Sequence, residues 1–461
     1  MRLNLTLTST GRSGGKLPPS APFPASFQTL ACRVRPLAYL KWCRERLGEQ
    51  FVVYPIDMPP LVFLANPQEI RAVLTASPSV LHPGAGAAVA APLFGEHSFM
   101  LLEEDAHMSV RSAITPAFHR KVVQGHVETV AEIVRAEVRS WPLDEAFPSH
   151  PLLRALTLRV ILRTIFGEED AELHVLRRQL LDMLSVTASL VLQEPRVRYL
   201  PGWRGTWKQF ISRREEVDKS ILALIARRSR TAGGRHDMLE LLLAVRRADG
   251  SPMSARELRD NLVSTIIAGH ETTASALAWS FQLLAHGQRV QERLASEIDG
   301  GEDEEYLTAT IQEVLRHSPV FLFAAPRAVA KPIEIGDWVY HPPVHLLGCT
   351  YLVHHDPALY PNPEAFCPER FIGAAPQPRI WLPWGGGRKV CVGRHLAMLE
   401  MQMVLRETLS ERSLQPAGAA VEHAHWRSVM VAPQKGSRVI LRKRAREVRS
   451  RRAPMLESAT V

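Results

Sequence analysis

The chain has 461 residues, of which 46% are hydrophobic and 22% charged, which is the balance of a globular protein with a sizeable core and excludes a largely disordered chain. Its formal charge of +9 is concentrated between Arg442 and Arg452, where there are seven basic residues and one acidic residue; such a run is usually a solvated end, so we expect no nucleic-acid partner. The five cysteines form no CxxC pair, which argues against a disulfide framework or a zinc site and predicts a reducing compartment.

The chain shows no interior linker, so we predict one large domain over residues 17–442. Residues 1–16 are polar and contain glycine, without an apolar signal-peptide core and without the ~20 apolar residues that span a bilayer. We therefore expect a cytoplasmic protein with no transmembrane anchor. Residues 1–16 and the basic tail, residues 443–461, are expected to be disordered.

Periodicity along the chain predicts helices with a small sheet. Apolar residues recur at helical spacing from residue 30 to 47, and short β-like runs follow at 51–54 and 61–64. Residues 79–99 are rich in Gly, Ala and Pro, which predicts a mobile apolar loop. From residue 122 to about 246 the pattern is helical nearly throughout. The predicted fold class is therefore mainly α with a smaller β region (α+β).

A predicted helix that begins near Glu104 carries His107 and Arg111. These residues are four apart, so their side chains point the same way. Two hydrogen-bonding or cationic groups on one helix face suit a pair of carboxylates. By itself such a pair is more often part of a solvated face, so its meaning depends on the rest of the chain.

The longest predicted helix covers residues 254 to about 284. Between residues 262 and 279 it is apolar or small on nearly all sides, which predicts that it is buried. Gly269 costs about 1 kcal/mol relative to Ala in a helix interior, and Glu271 and Thr272 stand where the pattern asks for apolar residues. Such exceptions are expected at a functional site. The alternative is a helix whose threonines bond back to carbonyls and whose glutamate is paired structurally.

Three charged residues follow at positions that favour pairing. Glu313 and Arg316 lie three apart on one predicted helix face, and Arg370 comes after a proline-punctuated segment. Between them, the apolar run of residues 320–325 leads to Arg327. Taken alone, these residues are equally typical of surface salt bridges and of an arginine at a strand edge.

A glycine-rich loop, residues 382–394, delivers Cys391 to the start of a helix. Helix-end amides and the neighbouring Arg388, Lys389 and Arg394 lower a cysteine pKa, so we expect the thiolate that a soft-ligand metal needs. Three consecutive glycines in the loop would let a flat group approach the backbone. An isolated loop of this kind is more often the site of a buried packing thiol.

The motif Trp384-x-x-Gly387-x-Lys389-x-Cys391-x-Gly393 resembles the haem-thiolate loop of the cytochrome P450 family, in which the cysteine is the axial iron ligand. Trp384 stands where Phe is commoner in the family, and Lys389 where an Arg or His usually meets a haem propionate. The resemblance covers essentially the whole chain. It implies a single large cytochrome P450-type fold around a buried haem b (iron protoporphyrin IX).

The long helix contains a second motif of the family. Residues 268–273, Ala-Gly-His-Glu-Thr-Thr, resemble the oxygen-binding helix signature. The resemblance implies that Gly269 lets dioxygen approach the backbone. It also implies that Glu271 and Thr272 are catalytic and relay protons to dioxygen.

The remaining positions take their roles from the same resemblance. Glu313, Arg316 and Arg370 would form a buried charge network behind the haem. Cys391 would be the metal ligand. The haem-binding residues implied are His107, Arg111, Ala268, Gly269, Arg327, Trp384, Gly387, Lys389 and Gly393.

The resemblance also implies an apolar substrate pocket, with residues 79–99 in the place of the loop that closes over the substrate. The reaction would insert one oxygen atom of O2 into a lipophilic small molecule of the fatty acid, terpenoid, steroid or polyketide class. The residues expected to line the pocket are Leu93, Phe94, Phe99, Leu262, Ile266, Phe321, Phe323 and Met430.

Electrons are expected from an external donor, because the sequence carries no flavin, iron–sulfur or nucleotide fingerprint. Arg388, Lys389 and Arg394 flank the cysteine and favour an acidic ferredoxin, with its reductase, or a flavodoxin. Two alternatives stay open. One is a haem-thiolate peroxygenase or isomerase that needs no electron donor, against which the Glu271–Thr272 pair argues, and the other is a non-catalytic haem-binding or ligand-binding protein.

Overall fold

The structure is a computed structural model that describes residues 17–167, 170–186, 198, 200–230, 237–246, 250–301, 304–324, 326–427 and 429–444. The N-terminal segment 1–16 and nearly all of the tail 443–461, both predicted to be disordered, lie outside the described residues. Within the described ranges, no helix has the combination of length and apolar character needed to cross a membrane.

Helices make up most of the described chain. In chain order they are α1 (Ala25–Val34), α2 (Pro36–Leu47), α3 (Pro67–Thr75), α4 (Pro83–Gly86), α5 (Ala91–Phe94), α6 (Glu104–Ile114), α7 (Arg120–Gly125), α8 (Val127–Arg139), α9 (Ser149–Phe166), α10 (Ala171–Ser185), α11 (Arg204–Arg230), α12 (Met238–Ala244), α13 (Ala255–His286), α14 (Gln288–Gly300), α15 (Glu305–His317), α16 (Thr350–His354) and α17 (Arg394–Glu411).

The strands are short and form small sheets. They are β1 (Gln50–Val53), β2 (Leu61–Leu64), β3 (Leu81–His82), β4 (Ala146–Pro148), β5 (Arg327–Val329), β6 (Ile333–Ile335), β7 (Trp338–Tyr340), β8 (His345–Gly348), β9 (Arg412–Pro416), β10 (Ala424–Arg427), β11 (Met430–Pro433) and β12 (Arg438–Lys443). The largest described sheet has the order β1-β2-β8-β5-β3, in which only β2 and β8 are parallel. The others are β4-β12-β9, β10-β11 and β6-β7.

The long helix α13 runs through the main hydrophobic core. It begins with a capping box, in which the Ser254 hydroxyl accepts from the Glu257 N–H at 3.2 Å and the Glu257 carboxylate accepts from the Ser254 N–H at 2.8 Å. The helix packs along α9 and against β9 and β11. Nearly every side chain from Leu258 to Ala285 is therefore buried, which confirms the predicted burial of this helix.

Two predicted elements differ from the structure. The single helix expected over residues 30–47 is two helices, because Pro36 lacks a backbone N–H and begins a new helix, α2, instead of continuing α1. Residues 79–99, expected to be a loop, contain the short helices α4 and α5 and pair with β5 through β3. The absence of periodicity there reflects the shortness of these elements.

Candidate active site

The buried helix α13 has one opening along its length. Between Leu258 and Ala285, all of which are described, only Ala268, Gly269 and Thr272 are partly accessible. Ala268 and Thr272 lie one turn apart on the same face. At these three residues the helix exposes part of its backbone and one hydroxyl group, whereas its other side chains between Leu258 and Ala285 are buried.

Gly269 has a packing role besides the one expected. A Cβ atom placed on this residue would lie 2.8 Å from Cδ1 of Ile161 on α9, so a larger residue would push Ile161 away. The glycine therefore allows α9 to pack closely on α13. Its backbone is partly accessible, and the approach of dioxygen to it stays a prediction.

Both threonines of the motif bond back to their own helix. The Thr272 hydroxyl donates to the Ala268 carbonyl at 2.7 Å, and the Thr273 hydroxyl donates to the Gly269 carbonyl at 3.1 Å. Thr273 is buried, whereas Thr272 borders the opening. Only Thr272 of the two can therefore offer its oxygen to a bound molecule.

Glu271 is held in a buried ion pair. Its Oε2 accepts from Nε of Arg154 on α9 at 2.6 Å and lies 3.4 Å from Nε2 of His270, while Oε1 lies 4.0 Å from Nε of Arg427 on β10. Burial alone would raise the pKa of Glu271, but the close His270 and the charge of Arg154 outweigh burial and lower the pKa far below its usual range. Glu271 is therefore a paired carboxylate, as in the structural alternative considered above.

The Cys391 loop is closed by a hydrogen bond from the Cys391 N–H to the Trp384 carbonyl, 2.9 Å long. Gly385 and Gly387 have φ angles of +67° and +64°, in the left-handed region that favours glycine. A Cβ atom on Gly387 would lie 2.0 Å from the carbonyl oxygen of Leu74 on α3. The turn thus requires both glycines, and packing on α3 also requires Gly387. That they let a flat group approach the backbone stays a prediction.

The thiol of Cys391 does not have the lowered pKa that was expected. Burial raises the pKa of Cys391, and the backbone N–H of Gly393 and the charges of Arg111 and Arg394 oppose burial without overcoming it. Burial was not visible in the sequence. A metal cation would reverse the balance, because a coordinating thiol is deprotonated by the metal.

Four of the implied haem-binding residues come together from three parts of the chain. His107 interacts electrostatically with Lys389 and Arg111, and Lys389 interacts with Arg327. Arg111 also donates to the Val390 carbonyl at 2.6 Å, which ties α6 to the cysteine loop. Helix α6, strand β5 and the loop therefore share one cationic cluster.

Glu103, which the sequence analysis missed, belongs to this cluster. It interacts electrostatically with Arg327 and Lys389, and its Oε1 accepts from the Ala85 N–H at 2.7 Å. Its other oxygen, Oε2, is buried and has no hydrogen-bond partner among the described residues. The position just before the first residue of α6, where a negative charge suits the helix N-terminus, is the signal that could have indicated it.

The cluster fits a group with two carboxylates. Among the described residues of the cluster, the cationic side chains of Arg111, Arg327 and Lys389 outnumber the carboxylate of Glu103. Burial and the charge of Lys389 lower the pKa of His107 to about 4, so this side chain is neutral, and its buried Nε2 has no hydrogen-bond partner in the part of the chain that the structure describes. The two propionates of a haem balance this charge.

The Lys389 ammonium group donates its hydrogen bonds to the segment before α6. Its Nζ donates to the carbonyls of Phe99, Met100 and Leu102 at 3.4, 3.1 and 3.1 Å. Burial lowers the pKa of Lys389 to about 8. Lys389 therefore joins the cysteine loop to the segment 99–102 and contributes its charge to the cluster. Its contact with a propionate stays a prediction.

The charge network predicted behind the haem is present. Arg316 binds Glu313 through two hydrogen bonds of 2.7 and 2.8 Å, and neither side chain is exposed to solvent. Nε of Arg370 lies 3.4 Å from Oε1 of Glu313, which also accepts from the Cys367 N–H at 2.9 Å. The Glu313 carboxylate thus connects α15 with the segment that leads to the cysteine loop.

His354, also missed in the sequence, connects this network to the loop. Its Nδ1 donates to the Arg316 carbonyl at 3.1 Å, and its Nε2 accepts from the Leu382 N–H at 2.9 Å. Arg316 in turn donates to the His354 carbonyl at 2.8 Å. These bonds fix a neutral imidazole at the first residue of the loop that carries Cys391.

Mild acid is expected to destabilise the protein through its buried histidines. Burial lowers the pKa of His150 to about 3 and that of His354 well below its ordinary value. Stability is therefore fully present above the unfolded pKa of ~6.5 and is lost below it, because the unfolded chain then binds protons that the folded chain does not. From pH 7 to 5.5 each of these two histidines should cost ~1 kcal/mol, so together they should lower the free energy of urea unfolding by ~2–3 kcal/mol, and His107 adds to this loss. An unchanged free energy of unfolding over this range would contradict the buried, neutral state.

The expected pocket residues fall into two groups. Six of them lie in or against the main core around α13: Leu93, Phe94, Phe99, Leu262, Ile266 and Met430. Phe321 is instead 38% exposed, and Phe323 packs on Phe63 in a separate cluster, with ring centroids 5.7 Å apart. The structure therefore does not bring Phe321 and Phe323 into the cluster of the other six.

Comparison with known proteins shows the family of the chain. The family model named Cytochrome P450 matches residues 16–440. Cytochrome P450 135B1 of Mycobacterium tuberculosis is 33% identical over 443 residues, covering 94% of this chain and 93% of that protein. Cytochrome P450 138 of the same species is 34% identical over 432 residues, covering 93% and 97%. Both names are provisional family assignments.

Solved structures share the fold. The cyanobacterial CYP120A1 with bound retinoic acid superposes with a TM-score of 0.81 at 22% identity, covering 93% of this chain and 99% of that one. The haem domain of cytochrome P450DA has a TM-score of 0.81 at 19% identity, covering 94% and 98%. At this identity the likeness concerns the fold alone. Because the family model matches residues 16–440 and these relatives are more than 30% identical, the chain belongs to the cytochrome P450 family of haem-iron monooxygenases.

Proposed function

We propose that this P450 is a haem-thiolate monooxygenase of lipophilic small molecules, with Cys391 as the iron ligand and Thr272 at the oxygen site. The single opening of α13 at Ala268 and Thr272 is the observation that carries the proposal. When bound, the haem supplies the iron at which dioxygen is reduced and one oxygen atom is transferred to a C–H or C=C bond. Arg111 and Arg327 would hold its propionates.

Thr272 and Glu271 would have different roles in proton delivery. The Thr272 hydroxyl lies at the opening and bonds only the Ala268 carbonyl among the described residues, so its oxygen can accept a hydrogen bond from a water molecule at the site. Glu271 is deprotonated and paired with Arg154, so it acts as a fixed acceptor next to Thr272. A carboxylate fixed in this way orders the proton donors of the site instead of acting as a free acid.

The apolar side chains around α13 favour an apolar substrate. Leu93, Phe99, Leu262 and Ile266 share one core cluster and offer no charged partner to a ligand. Fatty acids, terpenoids, steroids and polyketides fit this chemistry. Screening such compounds for a shift of the haem absorption band, which reports loss of the iron-bound water, tests the class, and shifts given only by hydrophilic compounds would contradict it.

The electron donor is proposed to be an acidic ferredoxin, served by its reductase, or a flavodoxin. Arg120, Lys121, Arg388 and Arg394 are exposed. Arg120 and Arg394 are close in space, because both lower the pKa of His395, after the larger effect of burial. A basic face of this kind beside the Cys391 loop attracts an acidic protein.

Reversing the charge of Arg388 should slow electron transfer from such a donor. At low salt the reduction rate of Arg388→Glu is expected to fall by about tenfold, and the rate of the parent should fall as salt rises. Stopped-flow reduction with an acidic ferredoxin measures both. Arg35→Glu makes the same charge change on an exposed residue between α1 and α2 and should leave the rate unchanged. A salt-independent parent rate, equal in all three proteins, would remove the electrostatic docking proposal.

The dependence of turnover on the donor tests the class of reaction. A monooxygenase gives oxygenated product only when electrons and O2 are both supplied. Product formation from a lipophilic substrate without an electron donor would favour a peroxygenase or isomerase. A haem spectrum with no O2 consumption on any substrate of the four classes would favour a binding protein.

A further inference from the structure

A small cavity lies between α8 and α17, and none of the candidate site residues lines it. Its volume is about 240 Å³, which leaves room for one long side chain. Four apolar side chains form part of its wall: Val127, Ala131 and Val134 on α8, and Met403 on α17. Charged side chains from both helices complete the wall. The cavity therefore suits a group with an apolar stem and a charged end.

One charged side chain of this wall lacks a partner. Arg135 donates to Glu128 at 3.0 Å, and Arg406 forms an ion pair with Glu304. The Glu407 carboxylate, by contrast, has no hydrogen bond or ion pair to any residue that the structure describes. The cavity thus presents a carboxylate that no cation holds at close range.

The surroundings of Glu407 favour an added cation. Burial raises the pKa of this carboxyl group, and the charge of Glu411 adds to the rise. Arg135, Arg139 and Arg412 act in the opposite direction without overcoming burial. A guanidinium group at hydrogen-bond distance would stabilise the ionised carboxylate and lower its pKa again.

The last strand leads the chain to this end of α17. Strand β12 pairs antiparallel with β9, with Lys443 opposite Arg412, and β9 follows α17 directly. The chain therefore runs back towards α17 as it leaves β12. Arg444, the last described residue, donates its N–H to the Glu411 carbonyl at 2.8 Å and forms an ion pair with Asp299. Its backbone is thus fixed beside the last turn of α17.

The residues after Arg444 are rich in arginine. Residues 445–452 contain four arginines and one glutamate, and the first of these arginines is Arg446. Glu411 lies one turn after Glu407 on the same face of α17, so Arg444 is held about 6 Å from Glu407 along the helix axis. An extended chain spans ~3.3 Å per residue, so Arg446 lies within reach of the cavity.

We propose that the segment 445–461 binds in the cavity between α8 and α17 of its own chain, with Arg446 paired to Glu407. The methylene groups of the arginine pack on the apolar wall, and its guanidinium group donates to the carboxylate. Because the segment is joined to its site, its effective concentration is of the order of mM, and a weak interaction is enough to fill the cavity. The segment is thereby an internal ligand that binds outside the haem site.

Trypsin digestion of the full-length protein at low salt tests the pairing. Cleavage after Arg446, followed by mass spectrometry, should be about tenfold faster in Glu407→Gln, because a charge-assisted hydrogen bond that shields the arginine is lost. Ala131→Trp fills the cavity and should accelerate cleavage at least as much. Glu132→Gln removes the same charge from an exposed α8 residue that does not line the cavity, and should leave the rate unchanged. A parent rate in Glu407→Gln or in folded Ala131→Trp would overturn the proposal.

Photocrosslinking of the full-length protein identifies the occupant of the cavity. In Val448→p-benzoylphenylalanine, irradiation should join residue 448 to α8 or α17 of the same chain. Products that join two chains would assign the cavity to a second copy, and crosslinks to neither helix would place the segment elsewhere; either result would contradict internal binding. Both experiments follow the segment itself, so their outcome is separate from whether the protein binds haem or oxidises a substrate.

Discussion

Thr272→Ala is expected to consume electrons as fast as the parent protein and to convert few of them into product. Reduction of dioxygen needs protons inside a site that excludes bulk water, and Thr272 carries the one hydroxyl group at the opening of α13. General acid–base contributions are typically ~10²–10⁴-fold. Because hydrogen peroxide can escape, the loss should appear as diverted electrons. Product per electron pair should fall at least about tenfold while hydrogen peroxide rises.

Thr273→Ala is the matched control. Thr273 makes the same kind of back bond as Thr272, yet its side chain is buried away from the opening. Its removal should change stability slightly and coupling little. Equal coupling of product to electrons in Thr272→Ala and in the parent would end the proton-relay proposal and favour a peroxygenase or isomerase.

Glu313→Gln is expected to unfold much of the protein or to prevent haem incorporation. The carboxylate balances the fully buried Arg316 and accepts from Arg370 and from the Cys367 N–H. Removing one partner of a buried ion pair costs ~3–5 kcal/mol, because the other charge is left without compensation. That is a large part of the ~5–15 kcal/mol of a typical domain. Urea unfolding and the haem content of the purified variant measure the loss.

Glu128→Gln provides the comparison for this loss. Glu128 pairs with Arg135 at 3.0 Å, but the two side chains are 77% and 41% exposed, so its removal should cost less than about 1 kcal/mol. A loss for Glu313→Gln as small as that for Glu128→Gln would show that the buried network does not support the fold.

The sequence predicted the helices that carry the candidate site better than the contacts of their side chains. The helical pattern located α6 and α13 closely, since apolar spacing follows directly from which face is buried. The partners of Glu271 could not be predicted: Arg154 lies on α9 and Arg427 on β10, and only the packing of these elements on α13 brings them together. His354 was missed for the same reason, because its two bonds join residues far apart in the chain.

Burial was the other quantity that the sequence did not supply. It reverses the expected lowering of the Cys391 pKa, and it leaves both oxygens of Glu400 on α17 without a hydrogen-bond partner among the described residues. Burial raises the pKa of Glu400 well above its ordinary value. The pattern of α17 gave no sign of a buried carboxylate, since glutamate is common on exposed helix faces.

The absorption spectrum of the reduced, carbon monoxide-bound protein tests most directly whether Cys391 is the iron ligand. The parent should give the long-wavelength band of a thiolate-ligated haem, and Cys391→Ala should lose it, because none of the other four cysteines lies at the start of α17. A thiolate-type band that persists in Cys391→Ala, or a parent spectrum typical of histidine ligation, would contradict the assignment of this loop as the haem ligand.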